Sequence, residues 1–228
     1  MIVKTSAIVL KRFPFGETSI IARCFTREEG KVNIIIKGAK RKKNHSSSFF
    51  QPINCLDMLY YFKPNRDIQT ASKVSYNKIW SKFHANLKHM SYGMALMEIT
   101  DKTITNHDPH PELFDELFSV INKIDSQDDK LNIIFWYYEM RLLTLLGYQP
   151  NLNDDNQINF NLLNSQKSKN SLKILKTLQT HSLESIPDFN ITKEDRNTVG
   201  TFLSENLRNH FDYSGPLHSF NFMKKIKF

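Results

Sequence analysis

The sequence predicts an α+β chain, with a small closed β-barrel over residues 1–79 and an α-helical domain over residues 80–228. Three observations predict it. Residues before about position 80 alternate apolar and polar, and are rich in β-branched and aromatic types. After that point the apolar spacing turns helical. A long polar connection, Gly38 to Gln51, follows the third of five strand-like segments.

The strand segments run from Ile2-Val3 through Leu10, Thr18 through Phe25, Val32 through Ile36, Ile53 through Phe62 and Ile68 through Tyr76. Turn chemistry separates them at Phe13-Pro14-Phe15-Gly16, at Glu28-Glu29-Gly30-Lys31 and at Lys63-Pro64-Asn65-Arg66-Asp67. Segments one to three therefore form a meander, and four and five a second hairpin. Five strands with the long link after the third is the layout of an OB-type barrel.

Helical spacing begins with Phe83, Leu87, Met90, Met94 and Met97, which predicts one long helix over 80–105. Asn106-His107-Asp108-Pro109-His110-Pro111 breaks it, with Asp108 as a cap and Pro109 opening the next helix. That helix buries Leu113, Leu117, Ile121 and Ile124. A third, Asp128 to Leu146, is apolar on so many sides that it belongs at the centre of a bundle, and Gly147 ends it. Residues 151–170 are polar and asparagine-rich, a loop or insertion. Helices over 171–181 and 192–210 follow, the second opened by the capping-box-like Thr192-Lys193-Glu194-Asp195.

Composition excludes several classes. The chain has 228 residues, 40% hydrophobic and 24% charged, so it can bury a core. No apolar run reaches the roughly 18 residues of a membrane-spanning helix, and the N-terminal stretch reads as a strand and not as a secretory signal. The expected location is the cytoplasm. Two cysteines, Cys24 and Cys55, make neither a disulfide framework nor a four-thiolate metal site, and read as small core residues. Phosphate-cradling glycine loops, HExxH and nucleophile elbows are absent from the sequence. His107-x-x-His110 beside Asp108 lies in a proline turn without a third ligand cluster. An enzyme is not expected, nor a cofactor or a metal.

Charge is unevenly placed. Residues 1–80 hold 15 Lys and Arg against 5 Asp and Glu, and the remainder 16 against 18. A concentrated basic segment implies an acidic partner, nucleic acid before an anionic membrane surface. Its focus is Lys37, Lys40, Arg41, Lys42 and Lys43, five cations in seven residues that repel one another until an anion neutralises them. Lys11, Arg12 and Lys31 are expected nearby. Phe13, Phe15, Phe49 and Phe50 either stack on bases or close the barrel.

An ordered string of segments carries a resemblance. Thr5 to Arg12, Gly16-Glu17-Thr18-Ser19, Phe25 to Lys31, Lys37 to Lys42 and Phe50-Gln51-Pro52 resemble the N-terminal domain of the bacterial recombination mediator family RecO. Leu113-Phe114, Tyr138 to Pro150 and Gly215-Pro216-Leu217-His218-Ser219 resemble its later motifs. Many relatives carry a four-cysteine zinc module after the Gly-Tyr-x-Pro segment. Here Asn151-Leu152-Asn153-Asp154-Asp155-Asn156 stands there, so the zinc module is expected to be lost.

The resemblance implies a non-enzymatic DNA-repair protein that binds single- and double-stranded DNA and anneals complementary strands. It further implies partnership with RecR and with the single-strand-binding protein, and a functional link to RecA on the nucleoid. The bacterial single-strand-binding tail is acidic and ends in Phe, so its receptor needs an apolar slot beside a cation. Tyr137, Arg141 and Leu145, spaced four apart on one helix face, are the candidates; the other reading pairs Arg141 with a neighbouring acid. The different-class alternative is a structural RNA-binding OB protein with a helical interaction module.

Overall fold

A computed structural model describes residues 1–41, 46–153, 169–211 and 217–219. Five strands, β1 (Ile2–Phe15), β2 (Ser19–Thr26), β3 (Gly30–Ile36), β4 (Cys55–Tyr61) and β5 (Ile68–Lys78), close into a barrel in the order β1-β2-β3-β5-β4. All neighbours are antiparallel except β3 and β5, which run parallel from Asn33↔Ile68 to Ile35↔Thr70. This is the OB-type barrel, and helices follow it.

Strand β1 makes the closure possible. Its first half pairs with β4 from Ile2↔Tyr61 to Ile8↔Cys55, and its second half pairs with β2 from Ala7↔Thr26 to Phe15↔Ser19. A bulge between Val9 and Lys11 lets one strand serve both neighbours. The strand therefore continues through Phe13-Pro14-Phe15, where the sequence suggests a turn; the turn is at Gly16-Glu17-Thr18. Pro14 is tolerated because β1 beyond the Val9 bulge pairs with β2 alone.

The barrel interior is filled by Ala7, Val9, Ala22, Cys24, Val32, Ile34, Leu56, Met58 and Tyr60, with Phe50 added from the β3–β4 connection. That connection includes the short helix α1 (Ser46–Phe49). Both cysteines are core residues, and burial pushes each thiol up to about 12.

Ile8, Leu10, Ile21 and Phe25 are buried as well, although alternation turns them away from the interior. Helices α2 (Lys82–Ala85), α3 (Leu87–Thr103) and α4 (Pro111–Ser126) belong to the same compact unit, residues 1–125 with the segment from 216 on. Phe25 meets Phe114 edge-on at 5.6 Å. Trp80 donates to Asn122 at 2.7 Å, and the Lys82 N–H to Asp125 at 2.8 Å, so α4 is fastened to the chain leaving β5.

In this unit two helix boundaries differ from expectation. The segment from 80 to 105 is split, because Asn86 leaves helical geometry (φ −128°, ψ 119°) and its side chain accepts the N–H of Lys88 and His89, capping α3. Helix α4 opens at Pro111 instead of Pro109, and His107 takes a positive φ of 56° ahead of it. The expected burial of Leu113, Leu117, Ile121 and Ile124 is found. In α3, by contrast, Leu87, Met90 and Met94 are exposed; the buried face is Gly93, Leu96, Met97, Ile99 and Thr100.

Residues 126–215 form the second compact unit. Helix α5 (Leu131–Leu145) starts three residues later than expected and is buried along nearly its whole length. Gly147, at φ +86°, ends it: its N–H bonds Thr144 O and that of Tyr148 bonds Leu143 O at 2.7 Å, a paired C-cap only a left-handed residue allows. Helices α6 (Lys169–Thr180) and α7 (Lys193–Phe211) complete the unit. The Thr192 capping box is formed through Asp195, which also accepts from Ser171 and Asn170 and so ties α7 to the start of α6. Most of the 151–170 stretch lies outside the described residues.

Candidate nucleic-acid interface

The β3–β4 connection is held against the β1–β2 turn. Gly38, at φ +68°, reverses the chain after β3; the Arg41 N–H closes the turn on Gly38 O at 3.0 Å, and the Lys40 N–H reaches Thr18 O at 2.9 Å. Ala39 is buried beneath it, so Lys37, Lys40 and Arg41 are presented on an anchored turn. The Lys40 ammonium lies 2.8 Å from Gly16 O. From β1, the Arg12 guanidinium approaches Ser47 O at 3.4 Å.

Between them lies a shallow depression of about 320 Å³, lined by Arg12, Phe13, Pro14, Ile20, Ala39, Lys40 and Ser47. Two cations, an apolar floor with one half-buried ring, and a hydroxyl suit a sugar–phosphate backbone better than a small neutral ligand. Lys42 and Lys43 lie outside the described residues.

The other expected cations are dispersed. Lys11, on the opposite face of β1 from Arg12, lines a separate groove against α3. Lys31 is buried, and its ammonium is 2.7 Å from the Asp101 carbonyl and 3.6 Å from its carboxylate. Burial lowers the Lys31 pKa, with Asp101 opposing that shift. Lys31 is therefore turned toward α3 and does not belong to an open cationic face. Arg23 and Arg27 are likewise engaged with Asp101 and Asp115 of the helices. Part of the basic excess of the first 80 residues thus holds the unit together.

The aromatic candidates also divide. Phe50 is a core plug, Phe13 is half-buried, and Phe15 is exposed. The Phe49 ring meets Tyr76 at 4.6 Å, tilted by 37°; Tyr76 is exposed on β5. Sequence reasoning misses Tyr76, which lies opposite Leu56 on the same sheet face as Val74; the polar Ser75, Asn77 and Lys78 around it mask its signal.

Of the partner stripe, Tyr137 is buried, while Arg141 and Leu145 are half-buried. A buried Tyr137 cannot wall an open slot. A groove larger than the turn depression lies in the first unit: about 530 Å³, lined by Leu10, Lys11, Met90, Met94, Met97 and Lys102 among others. Glu98 on its edge accepts the His218 and Ser219 N–H groups at 2.9 and 3.0 Å and pairs with Lys102, which fastens these two residues to α3. These bonds outweigh burial and hold the Glu98 carboxyl below its ordinary pKa.

In the proline turn His110 faces Asp108 at 3.0 Å. Among the described residues no three His, Cys, Asp or Glu side chains gather as a metal site. No helix among them is long and apolar enough to cross a membrane.

Comparison with known proteins matches residues 1–80 to the family described as recombination protein O, N terminal, and residues 84–219 to recombination protein O, C terminal. The chain is similar to the DNA repair protein RecO of Salinibacter ruber, 30% identical over 65% of this chain and 57% of that protein. It is similar to that of Chlorobaculum parvum, 30% identical over 72% and 64%. With the RecO of Prosthecochloris aestuarii the identity is 23%, over all of this chain and 98% of the relative. The matched segment thus spans under two thirds of the first two relatives and nearly all of the third. An OB-type barrel with a cationic turn, followed by helices and matched by both family models, places this chain in the RecO family of DNA repair proteins.

Proposed function

We propose that this chain is a non-enzymatic, DNA-binding recombination mediator, which anneals complementary single strands and helps exchange single-strand-binding protein for RecA, with RecR as a further partner. The anchored cationic turn at Lys37, Lys40 and Arg41, facing Arg12 across an apolar-floored depression, carries this reading. Two strands repel through their phosphates, and a protein that neutralises some of them lowers that repulsion without reading any base.

For the single-strand-binding tail, the methionine groove is a better receptor than the α5 stripe. Met90, Met94 and Met97 offer an adaptable apolar slot for a terminal Phe. On its lining Lys11 supplies a cation for an acidic peptide, beside Lys102 and its partner Glu98. Annealing of complementary DNA precoated with the cognate single-strand-binding protein tests the reading. Acceleration by the full chain supports it. No acceleration on coated or bare DNA, with RNA bound instead, would favour the RNA-binding alternative.

A further inference from the structure

We propose that α6 carries a second track for a nucleic-acid backbone, formed by Lys169, Lys173 and Lys176. Spacings of four and three place the three on one stripe of the helix. All are exposed, opposite a buried face of Ser171, Ile174, Leu175 and Leu178. With Leu172, Thr177 and Thr180 they line an open depression of about 390 Å³. The ammonium of Lys176 is steadied by Asn153 Oδ1 at 2.8 Å.

The arrangement works against the helix that bears it. An exposed helix face ordinarily alternates Lys with Glu, whereas α6 has three Lys and no Asp or Glu. Lys169–Lys173 and Lys173–Lys176 are like-charge neighbours, and Lys169 stands in the first turn, where the helix dipole disfavours a cation. A bound polyanion removes all three penalties at once. The stripe covers roughly 10 Å of axis, the reach of about three nucleotides at about 3.4 Å each. The apolar Leu172 between cations and hydroxyls suits a sugar–phosphate chain better than a compact anion.

This inference rests on the nucleic-acid reading above and adds a role to it. One strand engages the barrel turn and another engages α6, so that one protein holds the two polyanions that annealing must bring together.

The test titrates a short fluorescein-labelled oligothymidylate onto the full chain in three forms: wild type, an α6 variant (Lys169→Gln, Lys173→Gln, Lys176→Gln) and a turn variant (Lys40→Gln, Arg41→Gln, Lys42→Gln, Lys43→Gln). Wild type should bind two equivalents. The α6 variant should bind one at full affinity, show a summed log–log salt slope shallower by about 2, and melt no lower than wild type. Lys173→Glu separates folding from binding, since it creates favourable pairs with Lys169 and Lys176 yet should weaken the second equivalent about tenfold or more. Two equivalents with an unchanged slope in the α6 variant would overturn the inference, as would a single equivalent in wild type that the variant leaves intact. If the turn variant binds like wild type while the α6 variant no longer binds DNA, the barrel reading fails and the α6 track stands.

Discussion

Arg23 grips Asp101 through both carboxylate oxygens, at 3.0 and 3.1 Å, joining the outward side of β2 to α3. Lys31 enters the same cluster from β3, so one carboxylate answers two cations, one of them buried. Asp101→Asn removes the charge both cations face, leaving Lys31 only the Asp101 carbonyl and Arg23 only Asn33, and should cost about 3 kcal/mol, measured by urea unfolding. Adding Lys31→Met should recover part of the loss, because the buried charge is gone. A loss near zero in Asp101→Asn would mean the cluster does not hold helix to barrel.

Gly30 and Gly147 should respond differently to Ala. Both have positive φ, +68° and +86°. A Cβ at Gly30 would overlap the backbone of Asp108, whereas at Gly147 it meets nothing within 4 Å. Gly147→Ala should cost about 1 kcal/mol, from backbone conformation alone. Gly30→Ala should cost about 3 kcal/mol or more, since backbone must move. Equal losses would show that Asp108 yields easily.

Glu139 is fully buried in α5, and desolvation raises its pKa well above the ordinary 4.5. The folded state thus holds a proton that the unfolded state releases. Its contribution is complete below the unfolded pKa and is lost as pH rises through the raised folded value. Glu139→Gln, which cannot ionise, should therefore melt higher than wild type above that window and show a flatter decline with pH. Identical pH profiles for the two proteins would contradict a protonated, buried carboxyl.

The chain should carry no stoichiometric zinc, and a chelator should leave its melting temperature unchanged. Its two cysteines are both buried in barrel strands, and the segment after Tyr148-Gln149-Pro150 supplies none. A structural zinc would contribute folding energy too large for its removal to go unnoticed. One zinc per chain by elemental analysis would contradict this.

Strands two to five are legible in the sequence because alternation and turn residues agree, while β1 is read short because Phe13-Pro14-Phe15 resembles a turn; α4 is legible because Leu113, Leu117, Ile121 and Ile124 keep one face. The fate of Lys31 is not. Strand period alone turns it outward toward water, and only the helices covering that side make it a buried partner of Asp101. A trace of this is present, since Ile21 and Phe25 make β2 apolar on both faces. The break at Asn86 leaves no periodic signal, because Phe83, Leu87 and Met90 keep helical spacing across it while a side-chain cap ends one helix and begins another. The methionine spacing reads as a helix and does not show that Met90 and Met94 line the groove at the β1–α3 face. Arg12 and Lys40 are legible as cations, but their meeting across one depression depends on the bulge in β1 and the turn at Gly38.

The most direct test of the central claim is the salt dependence of DNA binding by a variant with Lys40, Arg41, Lys42 and Lys43 reversed to Glu. If the cationic turn neutralises phosphates, affinity should fall by orders of magnitude, and the log–log slope should flatten by about 0.7 to 0.9 for each phosphate no longer neutralised. Wild-type affinity with an unchanged slope would contradict it and place the DNA elsewhere on the protein.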